Sequence, residues 1–144
     1  MRAWFVPFLL VACHAPPSGL KSGVVLQYGV GHMGESVSFE VESDGDVTFD
    51  QTGAVVRHVR AKASPEEIST LGRTLREHGF CSLRSHRSVG VPDEARPSIR
   101  VHLEDLDCSV QLWDGEWHDD PDAHACLKAV ETFGSRLADR GLPR

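Results

Sequence analysis

The run Trp117-His118-Asp119-Asp120-Pro121-Asp122-Ala123-His124 holds the densest set of chemistry-bearing side chains in the chain. Imidazole nitrogens and carboxylate oxygens ligate divalent metals, which makes His118, Asp119 and His124 candidate metal ligands. With a metal in place they would also be the candidate centre of a hydrolase. The same residues have a structural use. Asp120 before Pro121 is a helix N-cap, and Asp122 suits the positive end of that helix. His118 precedes the helix and His124 falls in its first turn, so the two are not an i, i+4 ligand pair.

Other chemistry is weaker. Gly29-Val30-Gly31-His32-Met33-Gly34 matches the Gly-x-Gly-x-x-Gly dinucleotide pattern. That motif needs a helix N-terminus to receive the pyrophosphate, whereas Ser36 to Glu42 has the alternation of a strand, so the glycines are assigned to a loop. There is no Gly-x-Ser-x-Gly elbow and nothing to orient a Ser-His-Asp triad. No catalytic residues and no cofactor are therefore expected. Eight histidines would suit a proton sensor, but His32, His58, His78, His86 and His102 scatter over loops and polar faces, the distribution of a solvated surface. Trp113 and Trp117, in Trp-Asp-Gly-Glu-Trp, are the candidate binding residues, since Trp is enriched at interface hot spots. The alternative for Trp113 is a place beneath the long loop Arg84–Pro97, itself a candidate functional element.

These residues must be positioned by a sheet and two helices. Val37, Phe39 and Val41 alternate with Ser38, Glu40 and Glu42; Asp44-Gly45 supplies a turn, and Val47 and Phe49 resume the apolar face. Ala54 to Arg60 is a further strand whose facing is ambiguous, because Val55, Val56 and Val59 mix parities. Ser64-Pro65-Glu66-Glu67 opens a helix with a capping box, Ile68, Leu71 and Leu75 form its apolar stripe, and Gly79 ends it. Ile99, Val101 and Leu103, then Cys108, Val110 and Leu112, mark a second hairpin. The helix begun by Asp120-Pro121 carries Cys126, Val130, Phe133 and Leu137 on one face. Strands apolar on one face only indicate an antiparallel sheet. The expected fold is α+β: five to seven antiparallel strands with two helices packed on one face.

The first residues are an address. Arg2 is followed by an apolar run, Ala3 to Ala12, too short to span a bilayer but suited to a secretory leader. Leu10-Val11-Ala12-Cys13 resembles the bacterial lipobox. That resemblance implies cleavage before Cys13, lipidation of Cys13 as a membrane anchor, and a place in the bacterial cell envelope. With His14 rather than Asp after the Cys, it favours the outer membrane over the inner in a Gram-negative cell. Residues 1–12 then form the signal peptide, 13–23 a Pro/Ser/Gly tether, and 24–140 a single domain. The order of a meander with an Asp-Gly turn, a Ser-Pro-Glu-Glu helix ending in Gly-Phe and a late hairpin also resembles small bacterial lipoprotein domains of unknown function, a likeness that implies no activity.

The whole chain has 144 residues, with 15 Lys and Arg against 21 Asp and Glu, for a formal charge of −6. An acidic chain lacks the basic footprint of a nucleic-acid binder, so no nucleic acid is expected as a partner. In an oxidising envelope the three remaining cysteines, Cys81, Cys108 and Cys126, allow one disulfide. If the two helices run antiparallel, the end of the first meets the start of the second, and the pair expected is Cys81–Cys126. Three roles stay open: a membrane-tethered module that binds another envelope protein or a peptide, a metal-binding domain or hydrolase, and a purely structural lipoprotein.

Overall fold

The structure, a computed structural model, describes residues 23–103 and 105–143; the lipobox and Cys13 lie outside them. Seven strands form one antiparallel sheet: β1 (Val24–His32), β2 (Glu35–Glu42), β3 (Asp46–Thr52), β4 (Arg57–Lys62), β5 (Ser98–Leu103), β6 (Leu106–Gln111) and β7 (Leu142–Pro143). Their order across the sheet is β6-β5-β1-β2-β3-β4-β7. The alternating pattern is obeyed. Tyr28, Phe39, Phe49, Val59, Ile99 and Val110 point into the core. Across the opposite face, neighbouring strands are joined by polar pairs such as Lys62 with Asp46 at 2.6 Å and Gln27 with Glu40 at 2.7 Å. That is the make-up of a sheet with one wet face.

The glycine-rich stretch closes the first hairpin. Gly29 and Gly31 lie within β1, while Met33 and Gly34 both have positive φ (46° and 85°) and make the two-residue turn. The strand of ambiguous facing, expected over Ala54 to Arg60, is β4 and begins only at Arg57. Val59 is buried, and Val55 and Val56 lie outside the strand, exposed.

Two long helices, α1 (Pro65–Glu77) and α3 (Pro121–Arg140), cover the apolar face; a short helix, α2 (Asp114–Asp119), precedes α3. Both halves of the expected capping box form on α1. The Glu67 amide donates to Ser64 Oγ at 3.2 Å, and the Ser64 amide donates to Glu67 Oε2 at 2.9 Å. Asp120 caps α3 by accepting from the amides of Asp122 and Ala123 at 2.8 and 3.0 Å. The helices are antiparallel. Arg140 at the end of α3 holds Glu67 with both arms of its guanidinium (2.8 and 2.6 Å), and His78 after α1 meets Asp122 at 2.8 Å. Leu71, Leu75, Leu127, Val130, Phe133 and Leu137 are buried between the helices and the sheet. Gly134 lets α3 lie close, since a Cβ there would stand 2.4 Å from the Phe39 ring.

The disulfide corrects the sequence expectation. Cys81 is bonded to Cys108, not Cys126, with their Cα atoms 5.6 Å apart. The helix ends do meet as anticipated. Gly79, in the left-handed region at φ 60°, turns the chain into a 3-10 turn (Phe80–Ser82) that packs against β6 and brings Cys81 over that edge strand. Cys126 instead faces the core of α3 as a free, fully buried thiol. Burial, with the charges of Asp122 and Asp120 adding to it, pushes that thiol up to about 12, so it is inert packing.

The two hydrogen bonds from Arg140, followed by the Ser64 amide, hold the Glu67 carboxylate down at about 2. A carboxyl whose folded value lies below its unfolded value of about 4.3 stabilises the protein above that pH, and the contribution is lost as pH falls toward 2. Urea unfolding should show E67Q weaker than wild type by about 1 kcal/mol at pH 7, with the gap narrowing below about pH 4 and closing only as pH falls through about 2.

Candidate functional site

The connections fall into two groups. Turns β2–β3 and β5–β6 and the passage from β4 into α1 lie at the end of the sheet where the chain enters β1. Turns β1–β2 and β3–β4, the loop Arg84–Pro97 and the passage from β6 into α2 lie at the other end. This second end is the loop end, and it gathers every tryptophan and histidine singled out from the run 113–124.

Two carboxylates organise it. Glu116, in the first turn of α2, accepts from the backbone amides of Trp113 (3.0 Å), His86 (2.7 Å) and Arg87 (3.1 Å) and from Ser85 Oγ (2.8 Å). Burial works against its charge, but those donors together outweigh it and hold the carboxyl below its ordinary value. Glu94 accepts from the amides of Val91 and Gly115 at 3.0 and 2.8 Å and pairs with Arg87. It too is lowered, by the Val91 amide first. These acceptors tie the long loop to α2. They are engaged with backbone, which leaves them as fasteners rather than acids or bases.

The binding tryptophans are placed otherwise than as an exposed pair. Trp117 is fully buried, its Nε1–H donating to the carbonyl of Pro97 at 3.1 Å, so it presents no surface. Trp113 lies beneath the loop. Gly90 rests on its ring so closely that a Cβ would stand 2.4 Å from it, and the Arg96 guanidinium lies 4.9 Å from the ring centroid. Both residues belong to the packing of the loop.

The metal candidates do not converge as a set. His118 precedes α3 as expected, but within a further short helix, α2, and its ring comes within 5.4 Å (centroid to centroid) of His124. Asp119 is turned away, 3.8 Å from Arg87, and His118 Nδ1 is held at 2.8 Å by the Asp114 carbonyl oxygen. Among the described residues no three His, Cys, Asp or Glu side chains gather into a metal site. The bend at Asp120 between α2 and α3 brings the two rings together but carries the carboxylate off.

What the loop end does present is apolar surface. Seven large apolar side chains are exposed among the described residues. Five of them, Met33, Val55, Val56, Val89 and Val91, sit on the turns and loop at this end, each 55–78% exposed. His32 hydrogen-bonds the carbonyl of Asp93, which draws the loop apex to the first hairpin. None of the five was named as a binding residue from sequence, although Val55 and Val56 broke the strand parity and Val89 and Val91 lie in the candidate loop Arg84–Pro97. The available signal was the position of large apolar residues inside turn-forming segments, where burial has no use for them.

Beside this end a cleft of about 490 Å³ runs between α3 and the far ends of β1–β3. Val30, Val37, Phe39 and Phe49 floor it, and Glu131 and Arg57 stand in its walls. Tyr28, buried in its floor, donates its hydroxyl to Glu131 at 2.9 Å. Burial first, and then the Glu131 charge, drive the Tyr28 hydroxyl far above its ordinary value, so it acts as a fixed donor. Two further hollows, of about 560 and 320 Å³, flank α1 away from the loop end.

If Glu116 is the fastener of the loop, E116A should lose about 2 kcal/mol of stability, because several donors are left unsatisfied. Limited trypsin digestion should then cut at Arg84 or Arg87 well before the rest of the domain. No known protein family matches the chain, and no curated protein sequence matches it significantly.

Proposed function

We propose that this chain is a lipid-anchored module of the bacterial cell envelope that docks another envelope protein or a peptide at the loop end of its sheet. The observation that carries the reading is the clustering of Met33, Val55, Val56, Val89 and Val91 at one end. Exposed apolar side chains scattered singly are ordinary, whereas a cluster marks a surface with a partner.

The direction of the chain adds to this. A tether ending at residue 23 feeds β1 at Val24, and the nine residues of β1 carry the chain about 30 Å to the loop end. Anchored through Cys13, the domain would hold its apolar end away from its own membrane, where the occupant is a protein rather than lipid. Glu94 and Glu116 are engaged with backbone amides and hold the loop that carries Val89 and Val91. The metal-binding reading finds no support in the placement of Asp119.

Two measurements test the proposal. A photo-crosslinking residue at Met33 should yield a discrete adduct in cells, and one at Asp44, at the other end, should not; equal labelling from both would count against docking here. C13S should move the protein from the membrane fraction to the soluble fraction. A variant that stays membrane-bound would remove the lipid anchor from the reading.

A further inference from the structure

The cleft beside α3 carries a charge that the molecule does not answer. Arg57 is committed within the fold. It donates to the carbonyl of Ala138 at 3.1 Å, lies 3.8 Å from the Asp139 carboxylate and sits over the Phe49 ring. Asp139 is thereby matched. Glu131 is not. Its Oε1 accepts from Tyr28, and among the described residues it has no cationic partner. Tyr28 is itself fixed, buried in the floor with its ring centroid 5.4 Å from that of Phe39. The result is an exposed carboxylate oriented from beneath, with open acceptor positions and an apolar floor formed by Val30 and Val37.

The chemistry of such a place is selective. An acidic ligand would meet Glu131 and Asp139 and find Arg57 already engaged. A divalent cation needs several oxygens together, but Asp139 lies eight residues along α3, about 12 Å from Glu131. A long aliphatic stem ending in a cation suits it: the stem covers Val30 and Val37 while the head reaches Glu131. The volume, about 490 Å³, falls within the ordinary range of ligand pockets.

We infer that this cleft receives an arginine or lysine side chain from an apolar segment of the docked partner, with Glu131 as its counter-charge and Tyr28 as the residue that positions Glu131. The inference rests on the docking role proposed above and assigns that role its specificity.

The test titrates the full chain, observed through its amide resonances, with acetyl-Ala-Val-Arg-Val-Ala-amide and with analogues carrying Gln or Glu in place of Arg. The Arg peptide should shift the amides of Val30, Val37 and Glu131 and bind up to about five-fold more tightly than the Gln peptide, as one solvent-accessible ion pair allows. The Glu peptide should bind most weakly. E131Q should erase the preference while leaving the thermal midpoint unchanged, and added salt should reduce it in wild type. Equal binding of the three peptides, or an undiminished preference in E131Q, would overturn the assignment. Crosslinking from Met33 separates the two ideas. Capture that is equal in wild type and E131Q leaves docking standing and removes the cleft from it; no capture in either, with the peptide preference intact, removes the docking role alone.

Discussion

The placement of α3 on the sheet depends on the absence of a side chain at position 134. A Cβ there would stand 2.4 Å from the Phe39 ring, so any other residue would lift the helix or displace Phe39. Phe39 in turn lies between Tyr28 and Phe133, with ring centroids 5.4 and 6.2 Å away. Because the helix sits this low, Glu131, a turn before Gly134, comes within reach of the Tyr28 hydroxyl. Ala138, a turn after, offers its carbonyl to Arg57. The same seating lets Arg140 reach across to Glu67 at the start of α1. The core, the cleft and the clasp between the helices are consequences of one close approach, made where packing tolerates no extra atom.

How much of this was legible can be judged from two glutamates in equivalent places. Glu67 and Glu116 each stand three residues after an N-cap and reach back to its amide. The first was readable because Ser64 is an N-cap residue and Pro65 marks the first helical position. The second was not, because Trp113 has no capping oxygen and Gly115 weakens a helix. Helix α2 stands through the loop that wraps it, and contacts made twenty to thirty residues apart leave no local pattern. The strands were legible for the opposite reason: one buried face imposes period two on each strand separately.

The cysteines show a different limit. The antiparallel course of the helices, on which the expected Cys81–Cys126 pairing was conditional, is present, and His78 does meet Asp122. What the inference lacked was helical phase. Cys126 belongs to the stripe with Val130, Phe133 and Leu137, which faces the sheet and not the end of α1. Cys81 was carried to β6 by the left-handed turn at Gly79, a rotation that element order does not encode. Trp113 and Trp117 lie beyond the end of β6, where the period-two pattern of a strand gives no guide to which side chains are covered.

The direction of β1 has a mechanical meaning. This strand is interior, bonded to β2 on one side and β5 on the other, and the chain enters at Val24, the end opposite the loops. A force between that point and a load held at the loop end would act along the strand. Both ladders of hydrogen bonds would then be strained in shear, all rungs sharing the load, rather than peeled one rung at a time from an edge. Under the anchoring and docking proposed above, tension would run along the longest strand of the sheet.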